Sequence, residues 1–319
     1  MEIDYNEADT CRLFITPALR AAGWEQSSHS ITEQRTFTDG RIIVSGGKSR
    51  RGEQKKADYI LRYRHEFPIA VVEAKKSSEH AATGLQQAKD YAEILDLKFA
   101  YATNGREIIE FDFLTGQQRH LNAYPSPDVL WSRFCAAHGI TDQAAEHLLM
   151  PANRETGRPL RYYQEIAVYR AVQAITQGRR RALLTMATGT GKTLVAFQIC
   201  WKLWNSRWNK EGAHRRPRIL FLADRNILVD DPKDKIFTPF GDARFKVGQD
   251  GLSFGREMYF AIYQAIAPRD GSEGVYKRFR RDFFDLIVVD ECHRGSARDD
   301  SNWREILEYF EPAYQLGMT

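Results

Sequence analysis

A chain of 319 residues, 43% hydrophobic and 28% charged, has room for two domains that each bury a core. It contains no apolar run near the roughly 20 residues needed to cross a bilayer. Its net charge of +4 is too small to imply an anionic partner by itself, although basic residues cluster at Lys48 to Lys56, Arg179 to Arg181, Arg215 to Arg218 and Lys277 to Arg281. The acidic start from Met1 to Asp9 lacks the basic and apolar stretches of a secretory signal, which predicts a cytoplasmic protein. Cys11, Cys135, Cys200 and Cys292 have no paired spacing, so neither a zinc site nor a disulfide framework is expected.

In chain order, Asn6 to Ala22 reads as an amphipathic helix, with Leu13, Ile15, Leu19 and the following Trp24 available for a core. Ala57 to Tyr63 and Pro68 to Lys75 are β-rich runs separated by a polar turn. Ser78 to Leu97 reads as a helix. Phe99 to Thr103 and Glu107 to Phe113 read as strands around the turn Asn104-Gly105. Together these predict a mixed sheet with flanking helices over residues 1–123. Prolines and glycines then bracket two short helices, Asp128 to His138 and Asp142 to Met150, as expected of a helical linker over residues 124–158.

From residue 159 onward, apolar strands alternate with helices: Ala182 to Met186, Arg218 to Ala223, Met258 to Ile262, Asp285 to Val289 and Tyr314 to Met318. That rhythm predicts a parallel sheet covered on both faces.

The chemistry lies at the ends of these strands. Ala187-Thr188-Gly189-Thr190-Gly191-Lys192-Thr193 stands between a strand and the apolar helix Leu194 to Leu203. There Gly189 and Gly191 let backbone N–H groups turn toward phosphate oxygens, alongside Thr190 and the helix N-terminus. Lys192 would reach the β- and γ-phosphates, and the Thr193 hydroxyl would meet Mg²⁺. The generic phosphate loop has glycine where Met186 stands, so this is a variant form. A second buried strand ends in Asp290-Glu291-Cys292-His293. Asp290 there is suited to hold Mg²⁺ and Glu291 to orient and deprotonate water; taken alone, such a pair of acids also fits a helix cap.

In the first half, Asp58 lies on one β-run, and Glu73-Ala74-Lys75 closes the next. Strand alternation aims Glu73 and Lys75 the same way, with Ala74 toward the core. A hairpin would bring Asp58 beside them, forming either a Mg²⁺ site for phosphodiester cleavage or a surface ion-pair cluster. Gln87 and Tyr91 share one helical face.

Ala187 to Thr193 and Asp290 to His293 resemble the first and second motifs of superfamily 2 helicases and translocases of the DEAD/DEAH kind. Leu160-Arg161-Tyr162-Tyr163-Gln164 resembles the segment in which a glutamine reads adenine, implying ATP as the nucleotide and Gln164 as its reader. Phe221-Leu222-Ala223-Asp224-Arg225 and Ile262-Tyr263-Gln264 resemble nucleic-acid contact motifs, which implies DNA contacts at Arg225 and Gln264. Gln315-Leu316-Gly317-Met318-Thr319 looks like the opening of the third motif. The resemblance therefore implies one RecA-like lobe without its second, and ATP binding and hydrolysis that are weak in this chain alone.

Helix, hairpin, helix and strand over residues 6 to 103 resemble the PD-(D/E)xK nuclease fold. That likeness implies Asp58, Glu73 and Lys75 as its catalytic set, Asp58 and Glu73 as metal ligands and Glu7 as an auxiliary acid. Gln87 and Tyr91 resemble the glutamine and tyrosine pair of a subset of these nucleases. A nuclease ahead of a superfamily 2 motor resembles the restriction subunit of type I restriction-modification enzymes; in type III subunits the nuclease follows the motor. The expected partners are double-stranded DNA and modification and specificity subunits. A motor whose first domain only grips nucleic acid, and a non-enzymatic docking piece, are the rival expectations.

Overall fold

The computed structural model describes residues 4–26, 28–38, 42–45, 48–51, 54–64, 66–155, 159–248, 251–268, 273–292 and 304–319. His293, quoted above in the second motif, lies outside them. The chain divides into two compact units, Met1–Thr141 and Asp142–Thr319.

The first unit opens with α1 (Glu7–Thr10) and α2 (Thr16–Ala21), joined by a π-helical turn over Cys11–Ile15. Asn6 caps the start by accepting the Asp9 N–H at 2.8 Å. Ile15, Leu19 and Trp24 are buried as the amphipathic reading expects. Leu13 is 42% exposed, because the wider π turn rotates it off the buried face.

Strands β1 (Ser30–Thr38), β2 (Ile42–Ser45), β3 (Lys48–Arg51), β4 (Gln54–Tyr63) and β5 (Phe67–Ala74) follow. Next come a 3₁₀ turn at Ala81–Gly84, α3 (Leu85–Leu95), β6 (Phe99–Thr103), β7 (Ile108–Asp112) and β8 (Gln117–Leu121). The main sheet has the order β1-β4-β5-β6-β7-β8, while β2 and β3 form a separate hairpin. Only β5 and β6 run parallel within the main sheet, which requires the crossover that α3 supplies. α3 is shorter than the sequence suggests; its first turn is 3₁₀, and it stops at Asp96, which adopts φ +56°.

α4 (Pro127–His138) begins at Ser126, whose hydroxyl accepts the Val129 N–H, and ends at Gly139 in the left-handed region. It is tied to the sheet by Arg133, which donates to both oxygens of buried Glu110 at 2.8 and 2.9 Å and to Asp112 at 2.6 Å. The helix therefore belongs to the first unit. α5 (Asp142–Leu149) packs instead on helices of the second, so the segment anticipated as a linker is divided between the two cores.

The second unit continues with α6 (Tyr162–Thr176), β9 (Arg181–Leu184), α7 (Lys192–Asn205), β10 (Ile219–Ala223) and α8 (Ile227–Asp231). β11 (Arg244–Lys246), β12 (Met258–Ile262), α9 (Tyr263–Ile266), β13 (Leu286–Val289), a helix over residues 304–309 and β14 (Tyr314–Met318) complete it. Its sheet, ordered β11-β12-β10-β13-β14-β9, is parallel throughout.

The central strands β10, β12 and β13 are covered on both faces because apolar residues run continuously along them, whereas the edge strand β9 leaves Leu183 62% exposed. Leu220, Leu222, Tyr259, Ala261, Ile287 and Val289 join one cluster with Phe284, Ile306 and Phe310. The alternate residues Phe221 and Phe260 pack against Phe237, which also meets Phe197. Among the described residues, no helix is long and apolar enough to cross a membrane.

Two buried charges brace this unit. Lys202 on α7 is 1% exposed and donates to the Leu148 and Met150 carbonyls at the end of α5, where a cation complements the helix dipole. Asp285 accepts from both terminal nitrogens of Arg215, at 2.6 and 2.9 Å, and from the Arg218 N–H at 2.8 Å. Asp285→Ala is expected to destabilise the unit by about 2–4 kcal/mol, since it removes a buried acceptor of the Arg215 guanidinium and of the Lys210 and Arg218 N–H groups; urea unfolding measures the loss.

Candidate functional sites

In the first unit, the β4/β5 hairpin sets Tyr59 opposite Val72 and thereby carries Asp58 to the end of β5. Asp58 Oδ2 accepts the Ala74 N–H at 2.8 Å, so the backbone between Glu73 and Lys75 is pinned to the aspartate. Lys75 Nζ donates to Glu73 Oε1 at 3.4 Å and to Gln87 Oε1 at 3.1 Å. Gln87 Nε2 in turn donates to the Tyr91 hydroxyl at 3.0 Å. The structure thus joins Asp58, Glu73, Lys75, Gln87 and Tyr91 in one connected group. Glu7 is exposed on α1, close enough for Asp58 to raise its pKa and Lys75 to lower it; burial is the larger cause of its net upward shift.

Glu73 is the unusual member. It is 3% exposed, and its Oε2 is buried with no hydrogen-bond partner. Burial first and the Asp58 charge second push its carboxyl up to about 8. Lys75 meets only one oxygen of Glu73, and a divalent cation would supply counter-charge at the other. Among the described residues no group of three or more His, Cys, Asp or Glu side chains is placed to hold a metal. Two neighbouring carboxylates, one with an unpartnered buried oxygen, suit Mg²⁺, which is commonly held by one or two carboxylates with waters and phosphate oxygens completing its shell.

Two contributors escaped the sequence reading. Gln34 Nε2 on β1 donates to Asp58 Oδ1 at 3.0 Å. Gly84 lies so close that a Cβ there would stand 3.0 Å from Lys75 Cε and press on the lysine stem. Neither residue belongs to a motif, and both are brought in by sheet pairing and crossover.

The raised Glu73 value has a signed consequence. The folded value lies above the unfolded one, so the folded chain holds an extra proton between the ordinary carboxylate range and about pH 8. Stability of the cation-free protein is expected to fall as pH rises through that window and to level off above it. Cation binding must displace the same proton, so Mn²⁺ affinity should climb about tenfold per pH unit and flatten near pH 8. Thermal melts in EDTA and Mn²⁺ titrations across pH 6 to 9 check both slopes, and Glu73→Gln should lack them.

In the second unit, β9 leads into the loop that α7 follows. Gly189 and Gly191 adopt φ of +77° and +85°. A Cβ on Gly191 would meet Gln164 Nε2 at 2.6 Å. That nitrogen donates to the Thr190 carbonyl at 2.7 Å, and Gln164 Oε1 accepts the Arg161 N–H at 2.9 Å. Gln164 thus latches α6 to the loop and keeps one N–H and one lone pair for another contact. The Thr190 hydroxyl donates to the Ala187 carbonyl at 2.6 Å, closing the turn, and Thr193 lies in the first turn of α7.

β13 ends at this same carboxyl edge of the sheet. Lys192 Nζ and Glu291 Oε1 are 2.9 Å apart, joining the two motifs directly. Asp290 is buried, and burial followed by its neighbour Glu291 raises its pKa. Its Oδ1 accepts the Glu291 N–H at 3.0 Å while Glu291 takes φ +52°, an uncommon conformation for a non-glycine residue. A buried carboxylate and a lysine at the start of a helix, preceded by a glycine-rich loop, suit a triphosphate with its divalent cation. Arg225 is exposed after β10, and its Nε lies 3.6 Å from Asp224 Oδ2; Gln264 is the second residue of α9, after β12. Both stand at the same sheet edge.

These features define a class: a mixed six-stranded sheet with flanking helices and a RecA-like parallel lobe in one chain. Residues 158–319 match the family described as "Type III restriction enzyme, res subunit", and the chain belongs to that family. Over 98% of its length it is 42% identical to the type I restriction enzyme EcoAI endonuclease subunit of Escherichia coli, covering 38% of that protein. The EcoKI endonuclease subunit of E. coli K12 is 26% identical over 97% of this chain and 32% of its own. A fragment structure assigned to an HsdR subunit of a type I restriction enzyme from Vibrio vulnificus YJ016 is 55% identical, with a TM-score of 0.84, over 100% of this chain and 56% of that one. The chain therefore spans about a third of the curated relatives' length, and its likeness to type I subunits extends through both units.

Proposed function

We propose that this chain contributes ATP-driven DNA translocation and endonucleolytic cleavage to a type I restriction enzyme acting in the cytoplasm. The observation that carries the reading is the presence, in one chain similar to type I subunits along 98% of its length, of both the Asp58-Glu73-Lys75 group and the Lys192-Glu291 pair. The nuclease-like unit stands first, as expected for type I rather than type III order.

In the first unit Asp58 and Glu73 would hold Mg²⁺, which when bound would supply Lewis-acid activation of a water and of the scissile phosphate. Lys75, kept in place by Gln87, faces the charge that develops as the water oxygen bonds to phosphorus and an ester P–O bond breaks. Glu7 adds a nearby acid, and Tyr91 steadies Gln87.

In the second unit the loop from Gly189 to Gly191, with Thr190, receives the phosphates of ATP, and Lys192 contacts the β- and γ-phosphates. Thr193 and Asp290 would hold the accompanying Mg²⁺. Gln164 reads adenine with the amide valences that its loop contacts leave open. Glu291 takes a proton from the attacking water, whose oxygen bonds to the γ-phosphorus as the bridging P–O bond to ADP breaks. Arg225 and Gln264 touch the backbone of double-stranded DNA, which modification and specificity subunits select.

The full-length subunit, assembled with those subunits on DNA, should displace a downstream triplex-forming strand only when ATP is supplied. Failure to displace it while ATP is hydrolysed would overturn translocation. The Lys75–Glu73 ion pair could equally serve a structural role, which gives a second reading: a first unit that grips DNA without cutting it. Retained cleavage in Glu73→Ala and Lys75→Ala would select that reading.

A further inference from the structure

Gln34 lies inside β1, between Glu33, paired with Tyr59, and Arg35, paired with Ala57. Mid-strand residues are extended, yet Gln34 has φ +54°. For a residue with a Cβ this left-handed excursion within a strand is unfavourable, and it persists only where the surroundings enforce it. It places Gln34 opposite Asp58, and the side-chain amide donates to Asp58 Oδ1 at 3.0 Å. With the Ala74 N–H on Oδ2, both aspartate oxygens are then held from opposite sides, fixing the carboxylate plane.

We propose that Gln34 is a positioning residue of the nuclease site, its backbone set against local preference so that its amide orients the Asp58 carboxylate toward the cation. The inference rests on the nuclease reading of this unit. A glutamine suits the task because its N–H₂ can donate without adding charge, and each carboxylate oxygen keeps lone pairs for a cation while accepting one hydrogen bond. Its length also lets the amide cross from the neighbouring strand.

Gln34→Gly and Gln34→Ala separate positioning from stability. Glycine removes the amide and relieves the left-handed strain; alanine removes the amide and keeps the strain. With the full-length subunit in its assembled complex, both variants should raise the Mg²⁺ concentration for half-maximal cleavage by about tenfold to a hundredfold. The rate at saturating Mg²⁺ should recover most of its loss, since Asp58 remains. The melting temperature of the glycine variant should equal or exceed that of the parent. A merely structural residue would give the reverse pattern: unchanged half-saturation, with cleavage following thermal stability. That result, or unaltered cation dependence in both variants, overturns the proposal. Glu73→Ala run alongside keeps the two readings apart. Cleavage surviving Glu73→Ala sinks the nuclease assignment itself; cleavage lost there but normal in both Gln34 variants sinks only the role of Gln34.

Discussion

Glu73→Ala is expected to lower DNA cleavage by more than about a hundredfold, beyond the loss typical of an outer-shell change, while ATP hydrolysis by the assembled enzyme stays near the parent rate. The asymmetry follows from where the residue sits. Glu73 belongs to a unit with its own core, and its one unpartnered oxygen is the group best suited to a cation. Alanine removes a buried acid that has no stabilising partner for that oxygen, so folding should survive. Lys75→Ala should lose cleavage comparably but leave Mn²⁺ binding nearly intact, because the ammonium faces the substrate charge rather than the cation. Plasmid relaxation with Mg²⁺, paired with Mn²⁺ titration of each variant, measures the split. If Glu73→Ala cleaves normally, the first unit is a DNA grip.

Much of this was legible in the sequence because the informative residues are local. The strands Phe99–Thr103, Met258–Ile262 and Tyr314–Met318 have the limits expected from their apolar runs. The hairpin that carries Asp58 to Glu73 follows from alternation and one polar turn, and the Lys192 and Asp290 motifs each lie within a few consecutive residues. What escaped depends on partners distant in the chain. β1 reads as a polar run and becomes a strand only because β4 offers its edge. Gln34 and Gly84 acquire meaning only when that pairing and the α3 crossover bring them to Asp58 and Lys75. The fate of Leu13 turned on a π-helical turn that no 3.6-residue periodicity can show.

For the nucleotide site, the Lys192-Glu291 pair sets the expected order of effects. An ammonium 2.9 Å from a carboxylate must change partner to reach a γ-phosphate, and the same exchange frees Glu291 to meet a water. In the proposed function the ion pair would therefore compete with nucleotide and link binding to activation. Lys192→Ala should remove nucleotide-dependent thermal stabilisation and reduce ATP hydrolysis by about a thousandfold, since a charge aimed at the developing negative charge is lost. Glu291→Gln keeps the shape but weakens the competing partner, so it should bind ATP at least as tightly as the parent while hydrolysing it as slowly as Lys192→Ala. Both variants should abolish triplex displacement, yet only Lys192→Ala should lose the ATP-induced melting shift. The opposite pairing, with stabilisation retained in Lys192→Ala and lost in Glu291→Gln, would mean that phosphate is gripped by groups other than Lys192.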